Sequence, residues 1–186
     1  MTRGQRSKPL AERARIPVTE ATLAEAALAT LKRVDPSRKQ LERKLESWVR
    51  RRGEPSDPAA ARPLIDALLS RYEASGLVND RRLVETALLR LRARGASTRA
   101  IQHRLNTRGL DAEIVDQTLA EERTVTRQPD LQAAQALVRR RRLGPFRPEA
   151  ERETNRRRDL GILARAGFDF DTAARALATS FDEEES

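Results

Sequence analysis

The phrase Gly109-Leu110-Asp111-Ala112-Glu113-Ile114-Val115-Asp116-Gln117-Thr118-Leu119 returns 58 residues later, without a gap, as Gly167-Phe168-Asp169-Phe170-Asp171-Thr172-Ala173-Ala174-Arg175-Ala176-Leu177. A second pair stands 60 residues apart: Ser37-Arg38-Lys39-Gln40-Leu41-Glu42-Arg43-Lys44-Leu45 and Ser97-Thr98-Arg99-Ala100-Ile101-Gln102-His103-Arg104-Leu105. It carries the period back to a first copy. Recurrence at such a period marks stacked supersecondary units, each too small to bury its apolar face alone. Period-2 alternation and β-branched runs are absent, so no strand is expected. The expected fold is all-α, nine helices in three triplets, with repeats at about 19–75, 76–123 and 130–180. A disordered basic tail is expected over 1–18 and an acidic tail over 181–186.

Spacing and punctuation place the helices. The first runs from Thr19 to Val34 with Leu23, Ala27, Leu28 and Leu31 on one stripe, and Pro36 closes it. The second opens at Ser37 and turns Leu41, Leu45, Trp48 and Val49 inward. A third carries Leu64, Ile65, Leu68, Leu69 and Tyr72; Pro63, which lacks an amide donor, is tolerable only near its first turn. Asn79-Asp80 opens the fourth, which buries Leu83, Val84, Ala87, Leu88 and Leu91 and stops at Gly95. Ser97 caps the fifth, with Ile101 and Leu105 inward, and Asp111 caps the sixth, packed through Ile114, Val115, Thr118 and Leu119. The seventh spans about 130–143 with Leu131, Ala134, Leu137 and Val138 inward. After a stiff connector at Gly144-Pro145-Phe146-Arg147-Pro148, the eighth ends in Leu160, Leu163 and Ala164. Asp169 caps the ninth, whose packing face is Phe170, Ala173, Ala174 and Leu177. Gly53, Gly109 and Gly167 are equivalent stops and are expected at positive φ, where glycine carries no Cβ penalty.

Composition narrows the chemistry. The net charge is +9 and the chain has no cysteine, so thiolate catalysis, disulfides and cysteine metal sites are excluded. His103 is the lone histidine, and no glycine-rich phosphate loop leads into Lys-Ser or Lys-Thr. Carboxylates such as Glu113, Asp116, Glu121 and Glu122 read as solvated helix faces. The expectation is a non-enzyme with no cofactor and no metal site. No run of 18 apolar residues suggests a membrane span, and a reducing cytoplasm is expected.

A strongly positive field implies a polyanionic partner or an acidic protein surface. Every cation after Lys44 is an arginine, whose planar fork grips phosphate or carboxylate through two donors. The candidate binding residues fall in three groups. Arg139, Arg140, Arg141 and Arg142 end the seventh helix, where they also complement its dipole. Arg152, Arg156, Arg157 and Arg158 lie just beyond the connector, near enough to face the same groove. Arg99, Arg104 and Arg108, with Arg90, Arg92 and Arg94, spread over the fourth and fifth helices. No aromatic is interleaved with these arginines, so base stacking is not indicated for them. The fourth and fifth helices also fit a helix-turn-helix pair, which leaves a stand-alone helical DNA-binding or transcription-associated protein as the alternative.

Gly76-Leu77-Val78-Asn79-Asp80-Arg81-Arg82-Leu83 resembles the Gly-x-Ile/Leu-Asn/Asp-Asp-x-x-Phe segment of the RecX family. Similar stretches follow at Arg94-Gly95-Ala96-Ser97, Leu105-Asn106-Thr107-Arg108-Gly109-Leu110 and Leu163-Ala164-Arg165-Ala166-Gly167-Phe168. The resemblance covers about residues 20–180. It implies three tandem three-helix repeats in an elongated, curved array. It also implies a regulator, mainly an inhibitor, that lodges in the groove of the RecA–DNA filament and restrains filament growth, ATP hydrolysis and strand exchange. The partners so implied are the RecA filament and the DNA phosphate backbone, met by a monomer with no membrane contact. Three positions depart from the family pattern. Leu83 and Val84 stand for an aromatic–alanine pair, Ala166 for an arginine, and Gly161 interrupts the eighth helix, either weakening it or admitting a neighbouring backbone.

Overall fold

The computed structural model describes residues 15–178. The remainder of the expected basic tail and the expected acidic tail lie outside the described residues. Two compact units divide the chain in sequence between Asn79 and Asp80.

In the first unit, β1 (Ile16–Pro17) precedes α1 (Glu20–Leu31), α2 (Arg38–Arg52), β2 (Gly53–Glu54) and α3 (Pro58–Ala74). Thr19 with Thr22, and Ser37 with Gln40, form reciprocal capping boxes that satisfy the first orphan amides of α1 and α2. At α3 the Asp57 carboxylate accepts the Ala59 amide at 2.9 Å, and Pro58 fills the first helical position. Pro63 lies beyond the first turn, inside the helix, contrary to expectation. It is exposed, as is Ala59 four residues earlier, so water can satisfy the carbonyl that Pro63 leaves without a donor. Leu28 and Leu64, expected inward, are 43% and 38% exposed.

Ile16 pairs in parallel with Gly53 and Pro17 with Glu54, and the Arg15 guanidinium donates to the Gly53 carbonyl at 3.0 Å. Residues 15–18 are therefore ordered, and a strand pair exists; two residues are too few to leave an alternating pattern in the sequence. Gly53 is extended, with φ −77° and ψ 152°, and is not a left-handed stop. Its lack of a side chain serves close approach instead, because an added Cβ would lie 2.7 Å from Val18 Cγ2 and 2.8 Å from the Val49 carbonyl oxygen.

The second unit contains α4 (Asp80–Ala93), α5 (Thr98–Thr107), α6 (Ala112–Val125), α7 (Pro129–Arg141), a one-turn 3-10 helix (Gly144–Phe146), α8 (Glu149–Arg165) and α9 (Phe170–Ala178). Ser97, Asp111 and Asp169 accept from amides of the following helices, as their positions in the repeat predict. Gly109 and Gly167 are left-handed, with φ 77° and 91°. Phe170, expected in the core, is 74% exposed: it opens α9, and the face turns inward only at Ala173 and Ala176.

Burial follows the helix trios. Leu23, Leu41, Leu45, Ile65, Leu68 and Leu69 anchor one cluster from α1–α3. Val84, Ile101, Leu105 and Val115 anchor a second from α4–α6, and Ala134, Leu137, Val138 and Leu163 a third from α7–α9. At Gly161 in α8 no neighbouring backbone approaches; the nearest atom to an added Cβ would be Nη1 of Arg165, at an ordinary 3.4 Å. Gly161→Ala should therefore stabilise the protein by about 0.5–1 kcal/mol through helix propensity, read as a raised midpoint in urea unfolding. A lowered midpoint would mean that the glycine has a packing role.

Candidate polyanion-binding groove

The site is built where the second and third helix trios meet within the 80–186 unit. Gly95 turns the chain between α4 and α5 at φ 72°, and an added Cβ there would stand 2.8 Å from the Ala133 carbonyl oxygen and 2.9 Å from the Leu137 amide. The turn is thus pressed against the backbone of α7. One turn earlier, Arg92 reaches into the same junction. Its Nε and Nη2 grip both oxygens of Glu122 at 2.8 and 2.7 Å, while Nη1 meets Asp130 at 2.6 Å and the Ala96 carbonyl at 3.0 Å. Nη2 also bonds the Thr98 hydroxyl, and Asp130 in turn accepts the Thr98 amide at 2.8 Å. On the α8 side, the buried Ser97 hydroxyl donates to the Ala166 carbonyl at 2.8 Å. Arg92, grouped in the sequence with surface cations, is a structural clamp joining α4, α5, α6 and α7.

These contacts leave a concavity of about 460 Å³. Its floor is apolar, formed by Leu91, Ala96, Ala100, Leu137, Ile162 and Ala166. Around it stand Arg94 after α4, Arg104 on α5, Arg140 and Arg141 in the last turn of α7, and Arg165 ending α8. None of the five forms an ion pair with another described residue, whereas Arg62, Arg81, Arg92 and Arg147 each hold a carboxylate. The carboxyl ends of α4, α7 and α8 converge here, each worth about half a negative charge, so five guanidinium groups leave the groove strongly positive. An apolar floor lowers the local dielectric and strengthens that field toward an anionic partner.

The candidate arginines are distributed unevenly. Arg104, Arg140 and Arg141 meet in this groove. Arg139 and Arg142 are exposed beside it in sequence, Arg142 being the left-handed residue that ends α7. Arg99 and Arg108 are exposed at the two ends of α5 and do not line the groove. Arg152 and Arg156 do not share it either. They border a separate concavity of about 240 Å³ beside the 3-10 turn and the end of α9, in company with Glu153 and Asp159. Arg152 is engaged by backbone, donating to the Arg147 and Pro145 carbonyls at 3.1 and 3.0 Å. Arg157 and Arg158 are exposed, and successive helical positions fan about 100° apart, so Arg156, Arg157 and Arg158 cannot present one face. The expectation that both runs face a single groove is not what the fold builds.

Of the groove residues, Arg165 was not among the candidate binding residues, and Arg94 stood there only as one of the cations spread over the fourth and fifth helices. Both stand at helix ends just before a glycine reversal, a signal the repeat itself carries. Sequence reasoning also passed over Asp159, which is fully buried. It accepts the Gly144 amide at 2.9 Å and Arg147 through Nε and Nη2 at 2.8 Å each. Burial works to raise this carboxyl, but the bonds from Arg147 and Gly144 outweigh it and hold the group below the usual aspartate range. Its role is to pin the connector against α8. Among the described residues no group of His, Asp and Glu side chains is arranged to hold a metal ion, and no helix is long and apolar enough to cross a membrane.

No protein-family model matches the chain. The sequence is 37% identical over 163 residues to the regulatory protein RecX of Myxococcus xanthus, covering 86% of each chain. It is 30% identical over 143 residues to the regulatory protein RecX of Streptomyces coelicolor, covering 76% of this chain and 70% of that one. In structure it is similar to the crystal structure of RecX from Lactobacillus salivarius, with a TM-score of 0.61 over 85% of this chain and 94% of the other. At 18% identity that last likeness is one of fold.

Proposed function

This chain belongs to the RecX family of regulatory proteins, and we propose that it acts without catalysis, in the cytoplasm, on the RecA recombinase. In this reading it binds the RecA–DNA filament and restrains filament growth, ATP hydrolysis and strand exchange. The observation that carries the mode of binding is the convergence of Arg94, Arg104, Arg140, Arg141 and Arg165 on one apolar-floored groove, with no carboxylate of a described residue paired to any of them. Elsewhere on the molecule some arginines do hold carboxylates, as Arg62 does with Glu42, Glu46 and Asp66. Five left unmatched around one depression suit acidic protein surface or DNA phosphate. The remaining exposed candidates, Arg99, Arg108, Arg139, Arg142, Arg156, Arg157 and Arg158, would extend the positive field beyond the groove.

The test is hydrolysis of ATP by RecA on single-stranded DNA. Substoichiometric amounts of this protein should slow it, because one molecule bound to a filament can halt addition at many subunits. No effect at any ratio would remove the reading, and tight DNA binding without any effect on RecA would favour the stand-alone DNA-binding alternative.

A further inference from the structure

The single tryptophan of the chain, Trp48, lies in the first unit, two residues before the run Arg50-Arg51-Arg52. Lys44, Ser47, Trp48 and Arg51 recur at i, i+3, i+4 and i+7 along α2, so they share one face of that helix. With Arg43, and with Ala26 and Thr30 of α1, they line a concavity of about 280 Å³. Trp48 is only half-buried: one part packs against the α1–α3 core and the rest borders the concavity. The acidic residues of α2 are drawn to its other side, where Arg62 of α3 takes Glu42 at 2.6 Å and Glu46 at 3.3 Å. Arg43, Lys44 and Arg51 have no carboxylate partner among the described residues; the Arg51 Nε donates to the Ser47 carbonyl at 3.1 Å.

We infer that this concavity is a binding site for single-stranded nucleic acid, with one base stacked on the Trp48 indole and the flanking phosphates held by Arg43, Lys44 and Arg51. An indole beside three unpaired cations supplies the two elements such binding requires: a flat π surface that tolerates any base, and positive charge along the backbone. Duplex DNA keeps its bases stacked on one another and offers none to the indole. Asp and Glu side chains would engage the cations but carry no aromatic ring to stack on Trp48. The site lies in the first unit, apart from the arginine groove of the second, and adds a stacking surface which that groove lacks; it does not depend on the recombinase.

Because Trp48 is the only tryptophan, its fluorescence reports this site alone. Full-length protein without RecA is titrated with fluorescein-labelled dT and rU oligomers, an abasic oligomer of equal length, and a duplex. Anisotropy follows binding while tryptophan emission follows the site. The account predicts saturable quenching by dT or rU, little by the abasic strand or the duplex. Lys44→Ala with Arg51→Ala, both exposed and harmless to packing, should weaken binding of the single strand and reduce its salt dependence. Trp48→Leu, checked for folding by circular dichroism, should weaken it by about tenfold, in keeping with the loss of one stacked base. Equal affinity for the abasic strand, binding without quenching, or no effect of the Lys44 and Arg51 changes would each overturn the inference. So would an absence of binding.

Discussion

Arg92→Met should lower the stability of the protein by about 3–5 kcal/mol, the range found when one partner of a buried ion pair is removed. Methionine retains most of the aliphatic volume, so the loss reports charge and hydrogen bonding more than a cavity. The Arg92 and Glu122 side chains are each only 12% exposed, and without the guanidinium Glu122 and Asp130 would face the same junction with no cation between them. Burial costs Arg92 most, yet its bonds to Glu122 and Asp130 more than offset that and hold it in its charged form. Arg92→Lys should restore little, since one ammonium cannot reproduce a two-oxygen grip on Glu122 while also reaching Asp130, Thr98 and Ala96. Thermal unfolding should show a fall of roughly 10 °C or more for Met. A shift below about 2 °C would show that the junction between the helix trios does not depend on this clamp.

Asp159→Asn should cost about 3 kcal/mol, toward the lower end for a broken buried pair, because Arg147 retains some contact with water at 19% side-chain exposure. The more discriminating measurement is its pH dependence. A carboxyl held below its usual range in the folded protein stabilises that state while ionised. The difference between wild type and Asp159→Asn should therefore be complete above the ordinary aspartate value of about 3.9. It should shrink as pH falls below that value, through the lowered folded-state pKa. A difference that stays constant from neutral pH to about pH 2, or one that grows on acidification, would contradict the assigned pairing.

Much of this fold was legible because its repeat writes the same physical instruction more than once. Ser37 and Ser97 both cap, Leu41, Leu45, Ile101 and Leu105 are all buried, and Gly109 and Gly167 both reverse the chain. The misreadings arose where a residue type serves a different local need. Gly53 lacks a Cβ because Val18 and Val49 crowd it, and periodicity carries no information on such contacts. Phe170 matches Ala112 in register, and an apolar side chain at a helix start was mistaken for core. The candidate site was legible only as a list of arginines. Whether an arginine is a clamp, like Arg92 and Arg147, or open to a partner, like Arg104 and Arg140, depends on carboxylates brought near by folding. Glu122 and Asp130 lie 30 and 38 residues from Arg92. Helical phase explains the division of the runs: Arg140 and Arg141 turn toward α5 and α8, whereas Arg152 and Arg156 turn toward the 3-10 connector.

The central claim is that the arginines of the groove between α4, α5, α7 and α8, which hold no carboxylate among the described residues, meet the polyanionic partner. Its most direct test is equilibrium binding to RecA filaments on single-stranded DNA, at several salt concentrations, by wild type and by the combined Arg104→Ala, Arg140→Ala and Arg165→Ala variant. These three come from separate helices and hold no carboxylate among the described residues, so the variant should fold with an unchanged melting temperature. If each contact contributes what exposed charge pairs usually do, affinity should fall roughly tenfold at low salt. The dependence on salt should become shallower, because fewer counter-ions are released on binding. A folded variant that binds with the affinity and salt dependence of wild type would contradict the account and move the interface elsewhere on the molecule.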